Sequence, residues 1–130
     1  MFILRIAMSE HQEQVALIQW YRMQYPKYAK CLFSIPNGAH LAGDARLRAI
    51  KMNNLKASGL VPGVSDLMLM IPKGSYHGLF LELKVRGGKL SDSQKEFMGA
   101  ATLMGYQAVV CYGFESAKDA INNYLQSNEI

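Results

Sequence analysis

Long apolar runs are missing from this chain. No stretch approaches the roughly 20 residues that a membrane-crossing helix needs, so no membrane partner is expected. Cysteine is scarce: Cys31 and Cys111 are the two present, without metal-type spacing and within apolar, strand-like surroundings, which reads as two reduced, buried thiols. The three histidines, His11, His40 and His77, lack the spacing of zinc ligands and lie in polar or loop contexts. No G-x-x-x-x-G-K-S/T loop and no G-x-G-x-x-G turn occurs, which argues against the common nucleotide folds. A G-x-S-x-G elbow is absent too, as are internal repeats, low-complexity tracts and linkers.

What is present is ordinary in bulk and specific in detail. The 130 residues, 50% hydrophobic and 18% charged, suit one globular domain, 1–130, with a sizeable core. A net charge of +4 favours an acidic partner, nucleic acid first. The opening Met1 to Ala7 is too short for the apolar region of a signal peptide and lacks a basic leader. Because Met8 is itself a plausible start, residues 1–8 read as an N-terminal extension or an extra edge strand.

The first helix is predicted from Ser9 to Tyr25, with Ser9 as N-cap, Glu10 and Glu13 in the first turn, and an apolar stripe through Val15, Leu17, Ile18 and Tyr21. Glu10 and Gln14 are four apart and share a face. Pro26 stops this helix. Lys30 to Ile35 reads as a strand closed by the Pro36-Asn37-Gly38 turn. A second helix, Asp44 to Ala57, carries Arg46, Arg48, Lys51 and Lys56 with only a partial apolar stripe, as a surface helix does. That basic face is either a phosphate-backbone contact or a solvated surface. Two strands, Leu67 to Ile71 and Leu79 to Val85, are joined through Pro72-Lys73-Gly74-Ser75. A basic loop with Arg86 and Lys89 leads to a helix from Ser91 to about Met104, whose Ser91-Asp92-Ser93-Gln94 start fits a capping box. A buried strand, Tyr106 to Tyr112, and a helix, Glu115 to Leu125, complete the chain. This order predicts an α/β (α+β) domain with a mixed central sheet flanked by helices.

Charges stand out inside the two central strands. Asp66 opens Leu67 to Ile71, while Glu82 and Lys84 interrupt the other run and leave the same strand face. Paired as a hairpin, the strands bring Asp66, Glu82 and Lys84 together. Two carboxylates make a hard-oxygen site suited to Mg²⁺ or Mn²⁺, and an ammonium beside them can orient a water or steady a developing phosphorane charge. The alternative is a cross-strand ion pair on an exposed hairpin face.

Taken together, Ser9-Glu10 through Gln14, Pro62-Gly63-Val64-Ser65-Asp66, Glu82-Leu83-Lys84 and Leu90-Ser91-Asp92-Ser93-Gln94 resemble the VRR-NUC (virus-type replication-repair nuclease) family of the PD-(D/E)xK superfamily, particularly its small stand-alone phage and prophage members. The likeness runs from about Ser9 to Ile121. Ser65 stands where many relatives have proline. The resemblance implies the PD-(D/E)xK restriction-endonuclease-like fold. It implies Asp66, Glu82 and the Leu83 backbone carbonyl as ligands of Mg²⁺ or Mn²⁺, with Glu10, or Glu13 in a shifted register, as the helix-one acid. Lys84 matches the lysine that positions the attacking water, and Gln94 the glutamine of the following helix, although its capping box is explanation enough for it. DNA contacts are then expected from Gln14, Arg46, Arg48, Lys51, Arg86 and Lys89. The implied activity is metal-dependent cleavage of branched or structured DNA by a homodimer, in the manner of Holliday junction resolvases, in the cytoplasm of a bacterial host. A flap- or nick-processing nuclease, a restriction-like enzyme and a non-catalytic DNA-binding module of the same fold are the alternatives.

Overall fold

The computed structural model describes residues 7–37 and 41–126. The expectation of an extension or edge strand at residues 1–8 falls almost wholly outside them, as does Gly38 of the first turn. Helix α1 (Glu10–Gln24) begins at a capping box in which the Ser9 hydroxyl accepts from the Gln12 N–H and the Gln12 side chain accepts from the Ser9 N–H. Two backbone donors at the helix start are thereby satisfied. Pro26 ends α1 and also starts a short 3₁₀ helix, Pro26–Cys31. That element takes Lys30 and Cys31 out of the expected strand. Strand β1 is only Leu32–Ser34, because proline's fixed φ and missing N–H favour a helical first turn over a strand.

The other elements are α2 (Ala45–Ala57), β2 (Leu67–Leu69), β3 (Leu79–Lys84), α3 (Asp92–Leu103), β4 (Gln107–Tyr112) and α4 (Phe114–Leu125). The strands form one sheet in the order β1-β2-β3-β4. β2 is antiparallel to both β1 and β3, while β4 runs parallel to β3 with Glu82 opposite Val110 and Lys84 opposite Tyr112. Mixed pairing follows from the connections: a short loop returns the chain between β2 and β3, and a helix carries it from β3 to β4.

Strand alternation explains the layering. Leu79, Leu81 and Leu83 point to one face with Leu67, Leu69 and Leu32, and pack there against Leu17 and Tyr21 of α1 and Ala117 and Ile121 of α4. The intervening residues face α3, where Phe80 meets the Phe97 and Tyr106 rings at 5.1 and 5.4 Å between centroids. β3 is therefore enclosed on both faces, and a charge at position 82 cannot avoid burial. Helix α2 buries no side chain, and its Leu47 and Ile50 are exposed, as its partial stripe predicted. Among the described residues, no helix is long and apolar enough to cross a membrane.

Leu81 is fully buried at the centre of this face. Leu81→Ala is expected to lower the unfolding free energy by about 2–5 kcal/mol, measured by urea denaturation at constant m-value.

Candidate active site

Asp66 precedes the first residue of β2, and its side chain turns back to β3, where Oδ2 accepts the Leu83 N–H at 2.7 Å. β2 stops short of Leu83, so this carboxylate replaces the backbone carbonyl that a longer strand would have offered. The Asp66 carbonyl in turn accepts the Ile35 N–H at 2.9 Å, which ties the end of β1 to the same place. Gly63 sets the approach of this loop. At φ +85° it lies so close to α3 that an added Cβ would collide with the Ser93 carbonyl.

Glu82 is 3% exposed. Its Oε1 accepts from Gln94 Nε2 at 2.8 Å and stands 4.0 Å from Lys84 Nζ. The same Gln94 amide accepts the Ser91 N–H at 2.8 Å through Oε1. Its two possible roles are thus one arrangement: the oxygen caps α3 and the nitrogen holds Glu82. Glu82 Oε2 is buried with no donor facing it. The neighbouring polar group is the Asp66 carboxyl, and a hydrogen bond between two carboxyls exists only while one of them keeps a proton. Burial first, and then the Asp66 charge, push Glu82 up to about 8, with the Lys84 ammonium opposing. Asp66 is also raised by burial, against the pull of the Leu83 N–H.

The first turn of α1 closes the other side. Glu10 Oε1 accepts the Val85 N–H at 3.3 Å, beyond the end of β3. Glu13 faces elsewhere: its Oε2 accepts the Phe114 N–H at 2.6 Å. That bond caps α4, whose own N-cap residue, Gly113, has no side chain to do so. The geometry therefore separates the two acids, with Glu10 at the cleft and Glu13 holding α4 against α1. A cleft of about 350 Å³ results, lined by Glu10, His11 and Gln14 of α1, Ser34 of β1, Asp66 and Leu83. A larger cavity of about 740 Å³ between β4, α4 and Lys73 is lined by one carboxylate, Asp119, whereas Glu10 and Asp66 both line the smaller one.

The remaining sequence-derived candidates are not drawn into the cleft. Arg46 and Arg48 are exposed on α2, and Lys51 donates to the Ala42 carbonyl at 3.0 Å. Arg86 and Lys89 are exposed on the turn after β3, where an added Cβ on Gly88 would stand 3.4 Å from Lys84 carbon atoms. His11 and Ser34 belong to the cleft without having been singled out in the sequence. His11 is three residues before Gln14, and that shared helix face was the available signal. For Ser34, nothing local distinguishes it from any strand-end serine. Among the described residues, no group of three or more His, Cys, Asp or Glu side chains is placed to hold a metal ion. The donor set is the Asp66 and Glu82 carboxylates, with Glu10 and Leu83 on the adjoining cleft wall.

Gly63→Ala is expected to cost about 2 kcal/mol or more, because both its φ and the Ser93 backbone oppose a side chain. Thermal melting measures the loss.

Comparisons with known proteins give the family and the fold. The model of the VRR-NUC domain family matches residues 8–115, a span that contains Asp66, Glu82, Lys84, Glu10 and Gln94. A solved structure described as a VRR_NUC domain protein superposes with a TM-score of 0.79 at 24% identity, covering 95% of this chain and 93% of that one. A comparison with curated proteins gave no match. With its family model spanning the whole sheet and helices α1, α2 and α3, the chain belongs to the VRR-NUC domain family.

Proposed function

We propose that this chain is a Mg²⁺- or Mn²⁺-dependent, structure-specific DNA endonuclease that acts as a homodimer on branched DNA in the manner of a Holliday junction resolvase, in the cytoplasm of a bacterial host. Its family makes it a nuclease-type DNA-processing domain. The observation that carries the metal-dependent reading is the pair of half-buried Asp66 and buried Glu82, with Glu82 Oε2 facing no donor and Lys84 Nζ 4.0 Å from Oε1. Two carboxylates held together at this depth repel each other, and without a cation they stay partly protonated. Magnesium is commonly held by one or two carboxylates plus waters and substrate phosphates. A cluster of three acids is therefore not required, and the residues present fit such an ion.

Asp66, Glu82, the Leu83 carbonyl and Glu10 would hold it. When bound, it supplies charge neutralisation on the nonbridging phosphate oxygens and at the departing 3′-oxygen. The protein's own groups supply the remainder. Leu83 N–H and Gln94 Nε2 fix the two carboxylates so that they need not reorganise during the reaction. The Lys84 ammonium, anchored beside Glu82, orients the water that attacks phosphorus opposite the leaving 3′-oxygen. Water is consumed, the P–O3′ bond breaks, and a 5′-phosphate and a 3′-hydroxyl form. Symmetric cutting of two strands requires two such sites about a two-fold axis, which supports the homodimer.

Asp66→Ala and Lys84→Ala are each expected to lower cleavage of a four-way junction in Mg²⁺ by at least about 100-fold. A gel assay over linear, flapped, forked and four-way DNA checks this together with the substrate preference. Either variant cutting as fast as the wild type would refute the assignment.

The Glu82 carboxyl gives a pH test. Its folded value of about 8 lies above the ordinary 4.5, so the native state binds the proton more tightly than the unfolded chain does. The stabilisation it brings is complete below the ordinary value and disappears as pH rises through about 8. A cation displaces that proton. The Tm gain from Mg²⁺ is therefore expected to grow between about pH 6 and pH 8.5. In metal-free buffer near pH 8.5, Glu82→Gln is expected to melt higher than the wild type. Differential scanning fluorimetry reads both effects.

A further inference from the structure

The lining of the cleft beside Asp66 mixes acids with hydrogen-bond donors. Asp66 and Glu10 supply its acids, whereas His11 and Gln14 of α1 and Ser34 of β1 supply groups able to donate hydrogen bonds. Within this lining, no lysine or arginine is present, and His11 is the one side chain with an imidazole. It is exposed, and among the described residues nothing hydrogen-bonds to its ring.

We propose that His11 is a DNA-positioning residue: its imidazole N–H donates to a nonbridging oxygen of a phosphodiester in the strand lying along the cleft, next to the scissile phosphate. The proposal rests on the nuclease reading of the site and extends it to residues outside the acid and lysine set. Three features support it. A phosphate that enters a cleft containing two carboxylates needs hydrogen-bond donors in the same lining to offset repulsion, and an imidazole always keeps at least one N–H. His11 and Gln14 are three residues apart, so they form one ridge of the helix and can contact one strand together. The backbone position of this ridge is fixed independently of His11, by the Ser9 and Gln12 capping box and the Glu13 bond to Phe114. An imidazole on a rigid turn loses little freedom on binding.

The test uses the full chain and a fluorescently labelled four-way junction. Affinity is measured by anisotropy in EDTA, where no cleavage occurs, and kcat and KM are measured separately in Mg²⁺. His11→Ala is expected to raise Kd and KM about 10-fold, the size of one hydrogen bond to a charged group, with kcat within about 2-fold and Tm unchanged. His11→Gln, which keeps an N–H donor, is expected to recover most of the affinity. Unchanged Kd in His11→Ala overturns the proposal, and so does a fall in kcat at constant Kd, which would make the imidazole a proton donor in the reaction. Equal loss in His11→Ala and His11→Gln also overturns it. A wild-type protein that binds the junction but never cuts it would sink the nuclease reading, while the EDTA arm would still decide the role of His11.

Discussion

Two carboxylates that cannot both be comfortable without a cation organise this molecule. Glu82 lies on a strand covered on both faces, and Asp66 is aimed at the same strand from the end of its neighbour. The surrounding fold counteracts their repulsion with neutral donors: the Leu83 N–H for Asp66 and the Gln94 amide for Glu82. Burying charge with partial compensation costs stability. The cost falls on the pair to which the proposed function assigns the metal, as is common where function and stability compete.

The scaffold explains why the pair holds its geometry. β2 is short, so its leading residue offers a side chain to β3 where a backbone carbonyl would otherwise stand. Gly63 allows the preceding loop to lie against the start of α3, which brings the Asp66 loop and the Gln94 turn into contact. Gln94 then joins a helix cap to a site residue through one amide. Rotation of that side chain would lose both bonds, so helix start and carboxylate orientation are coupled. On the other side, Glu13 fastens α1 to α4, and thereby fixes where Glu10, His11 and Gln14 can reach.

Much of this was legible in the sequence because local rules and burial agreed. Ser9 and Ser91 both cap helices as their spacing indicated, and the apolar run from Leu79 announced a strand, although not that α3 would cover its second face. The convergence of Asp66, Glu82 and Lys84 followed from strand pairing. Other features depend on contacts between distant segments, which periodicity does not encode. Lys30 and Cys31 look like strand residues, yet Pro26 draws them into a 3₁₀ turn. Gln94 looked like a choice between cap and site, and the structure uses opposite ends of one amide for both. Glu13 stood beside Glu10 on paper as the acid of a shifted register, until α4 presented to it an N-terminus without a side-chain cap. The shared position of His11 and Ser34 on one cleft appears only once β1 is laid beside α1.

The central claim is that the Asp66 and Glu82 pair is a divalent-cation site. Titration of metal-free protein with Mn²⁺, followed by electron paramagnetic resonance near pH 8 and repeated on Glu82→Gln, tests it directly. The account predicts saturable Mn²⁺ binding to the wild type with release of protons, and loss of that binding in the variant. Equal Mn²⁺ uptake by both proteins, or none by the wild type, would contradict it.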